Sequence, residues 1–359
     1  MAEAGVVRCA MVMAGGAGTR FWPASRVARP KQLLPLASGR SLLAATMDRL
    51  TRAVGAQRTL VVTSAHLEEQ VRAELAAWPE TAVLSEPVGR NTAPCVGLAC
   101  VWLQESGVSD DAVLGVFPSD HWIGDDEAFA ESVELAYEAA ARGGIVTIGI
   151  RPTAPETGYG YLRHGPVVQG VAPVLAFLEK PAAPRALELL AGGDVLWNSG
   201  MFVFRIGVML AEIRAHMPHL SEALEAMRPI IRAGLPEPEF RRVYAPLEAQ
   251  SIDYGVMEHA SEVCVVPGSF PWSDVGHWDA LPLVAESDHL GNVVQGLVVA
   301  EDCRGSVVVN ESQRVIAALG LEDMVVVDTG DALLVMPRSR AQEVRRVVER
   351  VRELDETLV

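Results

Sequence analysis

The stretch MAGGAGTRFWPASRVARPKQLLPL, Met13 to Leu36, places Gly15, Gly16 and Gly18 close together and follows them with Arg20, Arg26, Arg29 and Lys31. Glycine leaves the backbone bare, so peptide N–H groups can approach an anion, and a cation fixed soon afterwards neutralises it. That pairing suits a phosphate chain. Two familiar phosphate motifs fail the test. The P-loop ends in Gly-Lys-Ser/Thr, whereas Gly18 leads into Thr19-Arg20. The dinucleotide fingerprint started from Gly16 reads GAGTRF and lacks its third glycine. Glycine turns after strands are common, so the cluster alone leaves a structural role open.

The basic residues carry a second signal. Of 30 Lys and Arg residues only two are lysine, Lys31 and Lys180. Arginine is planar and broad, whereas the lysine ammonium is a compact point charge on a flexible stem. A chain that uses arginine almost everywhere and keeps two lysines points to two narrow anion sites, chance retention on the surface being the bland alternative.

The elements that must hold these residues follow from periodicity. Short apolar runs alternate with helical patterns up to residue 150: strands at 59–63 and 144–150, a strand ending in a polar turn over 112–121, and helices at 41–54 (Ser41 as N-cap), 66–78, 92–105 and 126–143. Such alternation predicts an α/β fold with a doubly wound, mostly parallel sheet, whose ligands bind beyond the carboxyl ends of the strands. The Gly loop, PSDH (118–121) and the residues after AVLSEP fall there. A strand is expected at 172–181, a turn entering a strand at 196–205 and helices through 207–233. From about residue 290 short Val-rich strands predict a small β domain, closed by a charged helix over 339–354. The division expected is 1–285 and 286–359.

Composition excludes several classes. A formal net charge of −16 disfavours nucleic acid and anionic membranes as partners. Residues 1–40 break the trend, with six basic residues against one acid, as a localised small anion would require. No apolar run is long enough to span a bilayer, and the N-terminus is too short and too broken for a secretion signal. Five cysteines without a CxxC spacing read as buried reduced thiols of a cytoplasmic protein.

GGAGTRFWPASRVARPKQLLPL closely resembles the signature of the sugar-1-phosphate nucleotidylyltransferases, and its RPKQLLPL ending is most similar to that of the mannose-1-phosphate guanylyltransferases. Further matches run in order: GRNTAP (89–94), PSDH (118–121), TGYGY (157–161), FLEKP (177–181), WNSGMFVF (197–204) and WSDVGHWDAL (272–281). The resemblance covers most of the chain and implies a Rossmann-like nucleotide-diphospho-sugar transferase fold. It also implies a reaction in which a sugar 1-phosphate oxygen attacks the α-phosphorus of GTP, giving GDP-mannose and pyrophosphate. The attacking phosphate is already ionised, so positioning and charge neutralisation do the catalysis. The loop and the helix start after it would hold phosphate oxygens, with Ala14, Gly15, Gly16, Gly18, Thr19 and Ser119 in the nucleotide set. Arg20 and Lys31 would cover the triphosphate and Lys180 the sugar phosphate. Both lysines lie inside matched motifs.

In the family, the positions of Asp120 and Asp274 hold a divalent cation, and Mg²⁺ suits one or two carboxylates plus substrate oxygens. Taken singly, each reads more readily as a turn or capping residue. Asp125 and Asp126 read as caps, and His121 is not needed by an oxygen-loving ion. Glu179 and Asn198 match sugar-holding residues, with Gly160 presenting backbone to the ring; Tyr159 and Tyr161 read as packing, and Trp197 and Trp272 as walls. Choosing guanine requires acceptors for N1–H and the 2-amino group. Glu86, Asn91 and Thr92 are the candidates, with backbone carbonyls as the alternative. Some members carry a fused isomerase domain, and this chain is expected to lack it. Rival readings are another sugar and nucleotide pair, or a non-catalytic sugar-nucleotide sensor; the intact charged set argues against the sensor. The Val-rich end would build a homodimer interface or close the protomer.

Overall fold

Buried runs of Val, Ile and Leu, cut by Gly, Pro and Asp, become the strands of a computed structural model that describes residues 6–16, 18–36 and 39–359. The chain begins with β1 Arg8–Met13, α1 Leu42–Val54, β2 Thr59–Ser64, α2 Glu68–Glu74, β3 Ala82–Glu86 and α3 Thr92–Glu105. It continues through β4 Val113–Pro118, β5 Trp122–Ile123, α4 Asp126–Ala140, β6 Ile145–Ile150, β7 Tyr161–His164, β8 Ala172–Leu178 and α5 Ala183–Gly192. Then come β9 Val195–Arg205, α6 Ile206–His216, α7 Pro218–Arg232, α8 Glu237–Tyr244, β10 Val263–Gly268 and β11 Trp272–Ser273. The last stretch holds β12 Val293–Gln295, β13 Val298–Glu301, β14 Val307–Asn310, β15 Ile316–Leu319, β16 Met324–Asp328, β17 Leu333–Pro337 and α9 Val344–Leu354.

The chain folds into two compact units that interleave along the sequence. The first comprises Met1–Gly15, Met47–Pro118 and Asp125–Phe270. Its sheet has the order β3-β2-β1-β4-β9-β6-β10-β8-β7. β3, β2, β1 and β4 run parallel, as do β6 and β10. β9 enters between β4 and β6 antiparallel to both, and β7 and β8 add antiparallel pairs. The doubly wound α/β sheet is therefore present, with more antiparallel pairing than strand–helix alternation alone implies. α3 is buried almost throughout, so it shows no polar face in sequence.

The second unit comprises Gly16–Thr46, Ser119–Gly124 and Pro271–Val359. β12, β14 and β16 stack in parallel, aligning Val293 with Val307 and Val307 with Val325, and β17 closes the sheet antiparallel. β13 and β15 form a second parallel pair. Val293, Val307 and Val325, aligned in successive turns of chain, are all buried, whereas Val294 and Val299 face outward. Val344 and Val348 of α9 join the same core as Phe21, Trp22 and Trp278.

Three helical expectations need correction. Residues 66–78 are broken into α2 flanked by 3₁₀ turns at Ala65–Leu67 and Leu75–Ala77. The last helix starts as a 3₁₀ turn, Arg338–Glu343. The Gly loop leads only into one 3₁₀ turn, Thr19–Phe21, with Pro23 close behind it. Proline cannot donate to a continuing helix, so no helix dipole points at a phosphate there. The five cysteines are all free; four are buried, but Cys264 is only half-buried.

Candidate active site

In the second unit Gly18, Thr19, Arg20, Lys31, Asp120, His121, Asp274, Gly276 and Arg345 line a cavity of about 330 Å³. Lys31 is 4% exposed, and its Nζ donates to Asp120 Oδ2 at 2.7 Å and to the Asp274 carbonyl. Gly18 makes this possible: it holds φ 58°, and an added Cβ would lie 2.3 Å from Lys31 Cβ. Ser25 Oγ pins the loop by donating to the Gly18 carbonyl at 2.9 Å. Arg20 is oriented by Gln342, whose Oε1 accepts from Nη1 at 3.0 Å.

Burial alone would raise the Asp120 pKa, but Lys31 and His121 outweigh it and hold the carboxyl below its ordinary range. The His121 pKa is lowered as well, chiefly by burial, against the pull of Asp120. Trp272 Nε1 donates to His121 Nδ1 at 3.2 Å, which places the proton of a neutral ring on Nε2. Asp274 is followed by Val275 at φ 43°, an unfavourable conformation for a β-branched residue. Strain of that kind survives only where packing over-determines it, and Val275 is fully buried. A Cβ on Gly276 would sit 2.7 Å from Asp274 Oδ2, so the carboxylate lies in space that only glycine leaves open.

These residues fit a divalent cation. Two carboxylates of Asp120 and Asp274 line the cavity, and among the described residues no cluster of three or more His, Cys, Asp or Glu would hold a metal alone. An ion held by these two carboxylates would have to take its remaining oxygen ligands from outside the protein.

In the first unit Gly160, Glu179, Lys180 and Asn198 meet. A Cβ at Gly160 would lie 2.5 Å from Glu179 Oε2, so glycine lets the carboxylate pass. The Glu179 side chain is 8% exposed and accepts from Lys180 Nζ at 2.6 Å, while the lysine is 57% exposed. Burial lowers the Lys180 pKa, but the Glu179 contact more than compensates and raises it. Lys180 also holds a left-handed φ of 45°. Asn198 stands where β9 gains extra residues opposite Thr147 and Gly149 of β6, and such a bulge re-aims side chains.

Asp253 was not among the residues read from sequence. It accepts from Asn198 Nδ2 at 2.8 Å. Burial, reinforced by Glu179, pushes its carboxyl up to about 6. It opens a widened helical turn, Asp253–Met257. A lone Asp in SIDYG carries no spacing signal, so only the fold reveals it.

Glu86 ends β3 and is 5% exposed. Burial pushes its carboxyl up to about 7, against hydrogen bonds from Tyr244 and Cys95 that favour the ionised form. Tyr244 Oη donates to Oε1, while Oε2 lies 3.6 Å from the position of a Cβ on Gly15. Asn91 caps α3 at φ 65°. Thr92 Oγ1 accepts from the Ile252 N–H at 2.8 Å, which ties it to the turn that carries Asp253. Ala14 is committed to the sheet: its N–H donates to Val62 and its carbonyl accepts from Thr63. Gly15 and Gly16 are exposed, and Ser119 is buried just after β4. Asp125 caps α4 and Asp126 accepts from Arg49 Nε, so both are structural. Tyr161 is fully buried, and Tyr159 packs edge-on against Trp197.

Two family models match the chain: a nucleotidyl transferase over residues 9–289, and a MannoseP isomerase/GMP-like beta-helix domain over residues 296–351. The xanthan biosynthesis protein XanB of Xanthomonas campestris pv. campestris (strain ATCC 33913) is 41% identical over 349 residues, covering 95% of this chain and 73% of that protein. A mannose-1-phosphate guanylyltransferase of Escherichia coli K12 is 38% identical over 354 residues, with the same two coverages of 95% and 73%. A crystal structure from Thermus thermophilus, named as a mannose-1-phosphate geranyltransferase, is 43% identical with a TM-score of 0.87 over 96% of this chain and 99% of its own.

Proposed function

The chain belongs to the nucleotidyl transferase family, and from that premise we propose that it transfers GMP from GTP to α-D-mannose 1-phosphate, releasing GDP-mannose and pyrophosphate. The observation that carries the reading is the cavity in which buried Lys31 lies between Asp120 and the Asp274 carbonyl, with Arg20 on the same wall. Such a cavity neutralises a polyphosphate while keeping two carboxylates for a cation.

A mannose 1-phosphate oxygen attacks the α-phosphorus, a new P–O bond forms, and the α–β bridge breaks with its electrons leaving on pyrophosphate. No protein base is required, because the attacking oxygen is already ionised. Lys31 and Arg20 neutralise the triphosphate and the charge that develops on the leaving group; each charge-assisted contact is worth ~1.5–3 kcal/mol. Family members generally use a divalent metal, and we assign Mg²⁺, held by Asp120 and Asp274, where it supplies electrostatic neutralisation of the phosphates. Exposed Gly15 and Gly16 present backbone N–H groups, and Gly18 with Thr19 shapes the loop. Lys180 takes the sugar phosphate, while Glu179 and Asn198 take sugar hydroxyls with Gly160 beside them. Glu86 accepts from guanine N1–H and the 2-amino group, with Asn91 and Thr92 shaping the rim. Residues 1–285 are assigned to catalysis and 286–359 to the C-terminal β segment. Among the described residues no helix is long and apolar enough to cross a membrane. Separately, we assign the reaction to the cytoplasm because charged phosphorylated substrates do not cross a bilayer unaided.

The test is pyrophosphate release measured with GTP, ATP, UTP and dTTP against mannose 1-phosphate and glucose 1-phosphate. The reading expects GTP with mannose 1-phosphate to dominate. Preference for another pair, or no release from any, overturns it.

A further inference from the structure

Arg345 stands at the start of α9, next to fully packed Val344, and lines the same cavity as Arg20, Lys31, Asp120 and Asp274. Its neighbours are spoken for. Arg340 and Arg346 both pair with Glu343, at 2.8 Å and 2.9 Å, and Arg350 pairs with Glu353 at 2.9 Å. Arg345 makes no hydrogen bond or ion pair among the described residues. Arg352 further along α9 is likewise without such a partner among the described residues, but of the two it is Arg345 that lines the cavity.

The charge balance gives that arginine a purpose. Lys31 and Arg20 are offset by Asp120 and Asp274, so Arg345 supplies the cavity's net positive charge. Its position is also secured. Val344 and Val348 anchor the helix in the core, and Gln342, just before it, receives Arg20 Nη1. A planar guanidinium matches two phosphate oxygens at once.

We propose that Arg345 binds the pyrophosphate portion of the nucleotide, and pyrophosphate itself as product, so that the C-terminal helix completes the polyphosphate site. The proposal rests on the reading that this cavity takes the nucleotide's phosphates. It adds a residue from beyond the segment that the nucleotidyl transferase family model matches.

The experiment is calorimetric titration of inorganic pyrophosphate, with MgCl₂ present, into the full chain and the variants Arg345→Gln, Arg345→Lys and Arg346→Gln. Arg345→Gln is expected to weaken binding at least about tenfold, the size of one charge-assisted contact. Arg345→Lys, which keeps the charge and loses the fork, falls between it and wild type. Arg346→Gln stays within about twofold, as expected of a surface residue. In the reverse reaction, Arg345→Gln raises the KM for pyrophosphate and leaves that for the sugar nucleotide unchanged. Wild-type pyrophosphate affinity in Arg345→Gln overturns the proposal. So does an equal loss in Arg346→Gln, because the effect would then be bulk helix charge. A protein that makes no GDP-mannose yet loses pyrophosphate in Arg345→Gln refutes the functional reading and leaves this one standing. Full GDP-mannose synthesis with unaltered pyrophosphate binding in the variant does the reverse.

Discussion

Gly18 and Lys31 are packed so closely that a Cβ on the glycine would lie 2.3 Å from the lysine Cβ, and Gly18 already holds a left-handed φ of 58°. The loop therefore closes over Lys31 only with glycine at that position. Gly18→Ala is expected to displace the ammonium from Asp120 and lower turnover at least about a hundredfold, the scale of losing one electrostatic stabiliser. Steady-state kinetics beside thermal melting check it; full activity would show that the loop is free to shift.

The two lysines should respond differently to arginine. Lys31 is 4% exposed, so Lys31→Arg forces a larger group into a filled site at a cost of about 1–3 kcal/mol, and activity falls with the melting temperature. The Lys180 side chain is 57% exposed, so Lys180→Arg should fold normally and raise the KM for mannose 1-phosphate while leaving that for GTP alone. Unchanged kinetics in both variants would make the lysines passive.

Glu86 gives a pH signature. Its carboxyl is raised to about 7, and an ionised carboxylate is the better acceptor for guanine N–H groups, so the KM for GTP should fall as pH rises through that value. Glu86→Gln should flatten the profile. Stability runs the other way. A raised acid pKa contributes stability that is whole below the ordinary value of 4.5 and is lost as pH climbs through about 7. Glu86→Gln should therefore gain on wild type in thermal melts as pH rises, by up to ~3 kcal/mol. A pH-independent wild-type KM would remove Glu86 from base recognition.

Gly276 tests the cation. A Cβ there would lie 2.7 Å from Asp274 Oδ2 and must turn the carboxylate. Gly276→Ala should raise the Mg²⁺ concentration needed for half-maximal rate, with turnover recovering at high Mg²⁺, whereas Asp274→Asn should not recover. Wild-type turnover in excess EDTA would dismiss the metal altogether.

Local features were legible because they depend on neighbours in sequence. Ser41 was readable as a cap, and its Oγ accepts from the Ala44 N–H at 3.0 Å. The 92–105 helix matches α3, and β2, β4 and β6 fall where the apolar and β-branched runs predicted strands. The Gly loop and the scarcity of lysine pointed to Lys31 before its burial was known. What the periodicity could not convey was partnership. The Val-rich tail announced strands but not their parallel stacking, because identical valine runs suit either direction.

Sequence alone determined the chemistry on offer: bare backbone, two compact cations, carboxylates at strand ends, and the alternation that builds an α/β sheet. Tertiary structure decided which groups meet and what charge they carry. Tyr244 reaches Glu86 across 158 positions, Asn198 reaches Asp253 across 55, and Lys31 reaches Asp120 across 89. Burial then sets each pKa, since removing water penalises a charge until a partner offsets it. Patterning records which face of an element is dry; it holds no record of which distant side chain will share that dry space, and the site is made of those shared spaces.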